Sequence, residues 1–175
     1  DLDPAARVAL LARLVALGRR YGAVVTVHED IAAAIDAGAA GVHLPAGTLP
    51  DAARRVLGTA ALIGCSAHAA AALAPLAAAG ADYATLSPIF ASASKPGYGP
   101  ALGCERLAHA AGATRLGIIA LGGVAADNAG ACMAAGAAGV AVMGGVMAAP
   151  APDAVMAGLI KTLEQALAAR GEPAP

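Results

Sequence analysis

Two pairs of adjacent glycines, each directly after a strand-like apolar run, are the residues best suited to binding an anion. They are Gly122-Gly123 and Gly144-Gly145. Glycine lets backbone N–H groups approach an anion closely, and the N-terminus of a following helix adds partial positive charge. One such pair is usually only a tight turn, but two pairs after consecutive strands favour a shared phosphate site. These four glycines are therefore predicted to bind a phosphate.

A long loop after Phe90 carries three further candidates. Ser92, Ser94 and Lys95 offer alternating hydroxyls and one positive charge. These groups can donate hydrogen bonds to a phosphate or diphosphate, and loops of this length are usually functional or disordered. Composition alone leaves open a plain serine-rich surface loop.

Ser66 and His68 follow the apolar run 61–65. A Ser-x-His pair can supply a nucleophile and a base. However, two side chains that are two residues apart on an extended backbone are not held in a fixed orientation relative to each other. No third group that would orient the histidine is evident. Anion binding by Ser66 is the preferred interpretation, with His68 near a helix N-terminus.

His28, Glu29 and Asp30 end the first apolar run. A histidine beside two carboxylates can bind a divalent metal or move protons. The same residues also suit a helix N-terminus, where acidic side chains are favoured by the helix dipole. Both interpretations remain open, whereas His43 and His109 are interpreted as structural.

A short sequence motif recurs along the chain. An Ala-rich stretch, a Gly suited to the left-handed end of a helix, and a strand-like run occur together at 37–42, 79–83 and 135–140. This is the αβ connection of a series of βα units. The pattern predicts helices near 4–20, 30–37, 50–57, 69–79, 103–111, 126–135 and 153–169, and strands near 23–27, 41–44, 61–65, 83–86, 116–121 and 139–143.

Six strands that alternate strictly with seven helices predict an α/β fold with a parallel sheet. An open doubly wound sheet and a (β/α)8 TIM barrel both fit this alternation. No GxGxxG follows the first strand, and the glycine pairs follow the last two, which favours the barrel. The chain would then lack the first strand, first helix and second strand of the barrel. Residues 1–170 are expected to form this single domain, with 171–175 as a tail.

The amino-acid composition limits the classes of partner that the protein can bind. A net charge of −1, no basic cluster and 2% aromatic residues argue against nucleic acid. The 59% hydrophobic content is mostly alanine, with no apolar run long enough to cross a membrane. Three cysteines without CxxC spacing fit a reducing cytoplasm. The oligomeric state stays open, with a homo-oligomer as one option.

The motifs together resemble the thiamine phosphate synthase and thiazole tautomerase family over nearly the whole chain. The similarity lies in their order and spacing, and it is carried by segments 27–30, 37–44, 63–68, 87–95, 120–124 and 140–146. The resemblance implies a barrel transferase that joins an aminopyrimidine methyl diphosphate to a thiazole phosphate and releases pyrophosphate, with Mg²⁺ assisting.

By the same resemblance, each candidate residue has a role. Thiazole phosphate would bind at Gly122, Gly123, Gly144 and Gly145. The diphosphate would bind at Ser66, Ser92, Ser94 and Lys95. The expected catalytic residues are Ser66 and Lys95, together with His28, which is added for its own ability to move protons.

The chain also departs from the family pattern. His28-Glu29 stands where synthases carry Asn-Asp, so Glu29 is the expected metal ligand, and 45–48 lacks the second carboxylate. The sequence at 45–48 is more similar to the tautomerase branch, but Pro88 replaces that branch's base. Three functions stay open: a synthase, a tautomerase-like isomerase with His28 or His68 as base, and a silent paralogue that binds thiazole or thiamine phosphate.

Overall fold

A computed structural model describes residues 2–92, 97 and 99–171. The predicted diphosphate ligands Ser94 and Lys95 lie outside the described residues, as do residues 172–175 of the expected tail. No helix in the described part of the chain is long and apolar enough to cross a membrane.

The elements alternate as predicted, with eight α-helices among the described residues instead of seven. In chain order they are α1 (Pro4–Tyr21), β1 (Thr26–His28), α2 (Ile31–Ala37), β2 (Gly41–Leu44), α3 (Asp51–Leu57), β3 (Leu62–Ala67), a 3₁₀ turn (Ala70–Ala72), α4 (Leu73–Ala78), β4 (Tyr83–Leu86), α5 (Gly103–Gly112), β5 (Gly117–Leu121), α6 (Ala129–Ala134), β6 (Gly139–Ala141), α7 (Gly144–Met147) and α8 (Pro152–Ala169).

The strands form one parallel sheet in the order β1-β2-β3-β4-β5-β6. A doubly wound sheet reverses direction at a switch point, so this uninterrupted order shows that the doubly wound alternative is wrong. Parallel crossovers are nearly always right-handed, and crossovers that all step in one direction place their helices on one face. The layout is that of a barrel-type α/β sheet.

The two faces of the sheet differ in what they pack against. Val42, Ile63, Cys65, Leu86 and Ile118 are buried in a common core with apolar residues of the helices. The alternating residues of the same strands, such as His43, Ser66 and Tyr83, are only half-buried. Side chains alternate along a strand, so the second set lies on the inner face, opposite the helices.

The recurring alanine–glycine motif ends helices as predicted. Gly38, Gly80 and Gly136 all have positive φ, at 62°, 95° and 90°. Gly38 follows α2, and its amide donates back to the carbonyls of Ala34 and Ile35. Each glycine lets the chain turn from a helix into the next strand.

Several predicted boundaries were wrong at strand and helix ends. The first strand begins at Thr26, three residues later than expected, and α6 begins at Ala129. β3 continues to Ala67, so Ser66 lies within the strand and not after it. β6 ends at Ala141, two residues earlier than predicted, and the short helix α7 begins at Gly144. Strand ends are set by pairing with neighbours, which local composition does not encode.

Candidate functional site

Three polar side chains from neighbouring strands meet on the inner face of the sheet. The Nε2 atom of His43 lies 3.0 Å from Ser66 Oγ, and its Nδ1 atom lies 3.0 Å from the Tyr83 hydroxyl. These residues come from β2, β3 and β4. Both ring nitrogens of His43 are therefore hydrogen-bonded, and the imidazole is fixed between a serine and a tyrosine.

The space for the Tyr83 ring comes from a glycine on the neighbouring strand. A Cβ at Gly64 would collide with the Tyr83 ring. Thr26 from β1 lies close to the Tyr83 hydroxyl, and the His28 ring stacks on His43 with a centroid distance of 6.4 Å. The inner face thus carries a continuous polar row across four strands.

The environment keeps the His43 imidazole neutral near pH 7. Burial lowers the pKa of His43 below 6.5, and the nearby His28 lowers it further. Burial also raises the pKa of the Tyr83 hydroxyl above 10. A neutral imidazole has one donor and one acceptor nitrogen, so its two hydrogen bonds must run in opposite senses.

Thr85 adds an unsatisfied hydroxyl next to this row. Its Cα is the register partner of Ser66, and the residue is only 7% exposed. Its Oγ1 atom has no hydrogen-bond partner in the part of the chain that is described. Buried hydroxyls are nearly always hydrogen-bonded. Thr85 Oγ1 is therefore a polar atom on the inner face that the surrounding protein groups leave without a hydrogen bond.

The Gly122-Gly123 turn is explained first by packing. Both residues have positive φ, and a Cβ on Gly122 would come within 2.8 Å of Pro88 Cα. A Cβ on Gly123 would collide with the Ala91 carbonyl oxygen. The loop after β4 runs against this turn, where the Phe90 amide donates to the Gly122 carbonyl at 2.9 Å. These glycines are required by close backbone contact, independently of any ligand.

The Gly144-Gly145 turn is different. These residues open α7, whose first amides have no partner within the helix. A Cβ on Gly145 would meet nothing within 4 Å, and Gly145 is exposed. Leu121 and Ala141 are register partners at the ends of β5 and β6. The two glycine turns therefore follow neighbouring strands at the same edge of the sheet.

The acidic residues after β1 have different surroundings. The Asp30 carboxylate accepts from the Ala33 amide at 2.9 Å and pairs with Arg7 at 3.1 Å, so it caps α2. Glu29 has φ 60° and a side chain that is 61% exposed, with a carboxylate oxygen 3.7 Å from His28 Nε2. For Asp30 the helix N-terminus interpretation is confirmed, whereas Glu29 remains available to a ligand.

His68 is directed toward the next strand. Its Nδ1 atom lies 2.9 Å from the carbonyl oxygen and 3.3 Å from the hydroxyl of buried Ser87, after β4. The pairing of Ser66 with His68, which the sequence analysis did not favour, is not seen, and Ser66 bonds to His43 instead. Ser92 lies half-buried in the loop after β4.

His43 and Tyr83 are the residues that sequence reasoning missed. The interpretation of His43 as merely structural overlooked its position on the same face of the sheet as Ser66. Part of the signal was in the sequence, since side chains alternate along a strand and His43 stands between the apolar residues Val42 and Leu44. Pairing His43 with Ser66 also requires the register between β2 and β3, which the sequence did not provide.

Comparison of the fold with solved structures defines the class first. A thiamine phosphate pyrophosphorylase from Pyrococcus furiosus superimposes with a TM-score of 0.85 at 24% identity, covering 95% of this chain and 80% of that one. A 3-hexulose-6-phosphate synthase from Salmonella typhimurium superimposes with a TM-score of 0.67 at 18% identity, over 89% and 81% of the two chains. The protein is thus a barrel-type α/β protein.

Sequence comparison then gives the family. Residues 1–146 match the family described as thiamine monophosphate synthase. The thiamine-phosphate synthase of Salinispora tropica is 39% identical over 88% of this chain and 74% of its own length. That of Laribacter hongkongensis is 43% identical over 79% and 66%. That of Methanoculleus marisnigri is 45% identical over 72% and 60%. The chain belongs to the thiamine monophosphate synthase family, and it spans roughly three fifths to three quarters of the length of these relatives.

Proposed function

We propose that the chain is a thiamine phosphate synthase-type transferase that joins an aminopyrimidine methyl diphosphate to a thiazole phosphate and releases pyrophosphate. The named relatives are synthases, which favours this activity over the tautomerase-like and silent alternatives. The observation that carries the proposal is the half-buried Ser66 hydroxyl, which His43 holds on the inner face near the carboxyl ends of the strands. In barrels this end of the sheet bears the active site.

The proposed reaction requires stabilisation of the departing diphosphate anion more than it requires proton transfer. The bond between the methylene carbon and the diphosphate oxygen breaks with its electron pair, and the thiazole nitrogen supplies the pair for the new bond. Hydrogen-bond donors aimed at the departing oxygens lower the barrier to such a step. Ser66, Ser92, Ser94 and Lys95 are the proposed donors, and a dedicated base such as His28 has no required role.

Thiazole phosphate is proposed to bind the two glycine turns. Support comes from the register of β5 and β6, which brings both turns to one edge of the sheet. The Gly144 and Gly145 amides at the start of α7 are suited to contact an anion. Gly122 and Gly123 would contribute mainly by keeping their turn tight against the loop after β4.

Mg²⁺ fits the described residues only in part. No group of three or more His, Cys, Asp or Glu within residues 2–92, 97 and 99–171 is arranged to hold a metal. Glu29 would be the protein ligand, with diphosphate oxygens and water completing the shell, as Mg²⁺ often accepts at phosphate sites. When bound, the ion would neutralise charge on the departing diphosphate.

We also propose that β1–β6 correspond to the third to eighth strands of a (β/α)8 barrel. In support, β1 and β6 each pair with one neighbour only in the described part of the chain. Residues 1–170 would be one domain. The expectation of a cytoplasmic protein remains a prediction from its cysteine content.

The decisive experiment measures pyrophosphate release from the two precursors, with and without Mg²⁺. Release that depends on Mg²⁺ and falls in Lys95→Ala is the expected result, because a charge that stabilises the leaving group would be lost. Tyr21→Phe, which removes an exposed hydroxyl on α1, is the matched control. Turnover of thiazole phosphate alone without metal would instead support an isomerase, and ligand binding without any product would support a silent paralogue.

A further inference from the structure

The hydrogen bonds of His43 leave one question that the fold itself can answer, namely which ring nitrogen carries the proton. Its Nδ1 atom faces the Tyr83 hydroxyl and its Nε2 atom faces Ser66 Oγ, each at 3.0 Å. With Nδ1–H, the Ser66 hydroxyl must donate its proton to Nε2. With Nε2–H, the imidazole donates to Ser66 and the serine proton is free to point elsewhere.

The Tyr83 hydroxyl favours the second arrangement. Phenols are better donors than alcohols, and a neutral imidazole nitrogen is a good acceptor. Tyr83 has only one proton to donate, and its hydroxyl lies 3.0 Å from His43 Nδ1, within hydrogen-bond distance. The Tyr83 proton is therefore assigned to the bond with His43 Nδ1.

We propose that Tyr83 holds His43 in its Nε2–H tautomer, so that His43 donates to Ser66 Oγ and the Ser66 hydroxyl proton is left for a phosphate oxygen. The chain of donors runs from Tyr83 through His43 to Ser66 and links three strands. His43 and Tyr83 are then positioning residues, which act on the bound diphosphate through Ser66. The phosphate part rests on the proposed function.

In the described part of the chain no second hydrogen bond engages the Ser66 hydroxyl. Ser66 Oγ contacts His43 there, and Thr85 Oγ1, on the partner residue in β4, has no hydrogen bond. The opposite tautomer would turn the Ser66 lone pairs toward an incoming anion. That arrangement would repel the ligand that the residue is proposed to bind.

The tautomer can be read directly by ¹⁵N NMR of histidine-labelled protein without ligand, at mildly alkaline pH. The four histidines are assigned with single substitutions. Wild-type His43 is expected to show protonated Nε2 and bare Nδ1, and Tyr83→Phe a mixture of both tautomers. Protonated Nδ1 in the wild type overturns the proposal, whether or not any variant folds.

Binding of inorganic pyrophosphate with Mg²⁺, measured by calorimetry, tests the consequence for Ser66. A glutamine amide can donate from about the position of Nε2, so His43→Gln is expected to bind within about threefold of wild type. His43→Leu, which has no donor, is expected to weaken binding roughly tenfold, the size of one hydrogen bond to a charged group. Equal weakening by both variants would overturn the proposal.

A double-mutant comparison separates the role of Tyr83 from general packing. Tyr83→Phe is expected to weaken pyrophosphate binding about threefold in the wild type and not at all in the His43→Gln background, which has no Nδ1 to control. The same loss in both backgrounds would contradict the proposal. If the wild type binds no pyrophosphate, the proposed function fails, whereas the NMR spectrum still decides the His43 assignment.

Discussion

Two polar networks lie along β3, one at each end of the strand, and they differ in how completely they are satisfied. At the amino end, Arg54 donates five hydrogen bonds of 2.7–3.1 Å, which matches its five N–H donors. Its acceptors are the carbonyls of Gly58, Ala61 and Gly80 and the Asp82 carboxylate. Asp82 also accepts from the Ile63 amide at 2.6 Å.

At the carboxyl end the network is left open. His43 is fully bonded, but Ser66 is half-buried with a proton to spare, and Thr85 Oγ1 has no partner in the described chain. A closed polar network fixes structure, whereas an open one retains donors for a ligand. The groups that stabilise the fold thus lie at one end of β3, and the groups proposed to bind a ligand lie at the other.

The largest effect is expected where the closed network is broken. Arg54→Ala removes all five bonds, so that three carbonyls lose this donor and the Asp82 carboxylate keeps only the Ile63 amide, which should lower the free energy of unfolding by about 3 kcal/mol. Arg55→Ala, one residue on, removes only an exposed pair with Asp51 at 3.0 Å and should cost about 0.5 kcal/mol or less. Urea denaturation measures both, and equal losses would remove the distinction between the two ends.

Substitutions in the open network at the carboxyl end are expected to lower the activity and to leave the free energy of unfolding nearly unchanged. Ser66→Ala removes a donor aimed at the leaving diphosphate, so pyrophosphate release should fall about a hundredfold. The free energy of unfolding should change by less than about 1 kcal/mol, since Ser66 has one protein partner. Steady-state kinetics and urea denaturation on the same preparation decide this. A loss of activity that merely follows unfolding would contradict the comparison.

The two glycine turns at the carboxyl end should differ in their tolerance of a methyl group. Gly123→Ala would force a Cβ into the Ala91 carbonyl at positive φ and should cost about 2 kcal/mol. Gly145→Ala meets open space in a helix and should be neutral or stabilise by up to about 1 kcal/mol. Thermal unfolding compares them. If Gly145→Ala proved as costly as Gly123→Ala, packing would not explain their difference.

The smallest effect tests the unpaired hydroxyl itself. Thr85→Val keeps the shape of the side chain and removes a buried oxygen without a partner, so the protein should gain about 1 kcal/mol of stability. Equilibrium denaturation in urea measures this gain. A loss of stability would mean that Thr85 is satisfied after all and that the carboxyl-end network is closed.

Much of the fold could be predicted because it is encoded locally. Glycines at helix ends, such as Gly38 and Gly136, mark the turns from a helix into the next strand. The alternation of helices and strands predicts a parallel sheet. The same local signals gave the glycine turns and the resemblance to the family. Boundaries such as the end of β3 were missed because pairing between strands sets them.

The sequence by itself determined the order of elements, the barrel class and the family, since these depend on periodicity, turn residues and motif spacing along the chain. Only the tertiary structure decided that Ser66 bonds to His43 instead of His68, that Asp30 is used as a helix cap, and that Gly122 and Gly123 are required by the loop packed against them. Each of these depends on strand register and on contact between segments that are distant in the sequence. A pattern along the chain does not specify which distant segments come into contact.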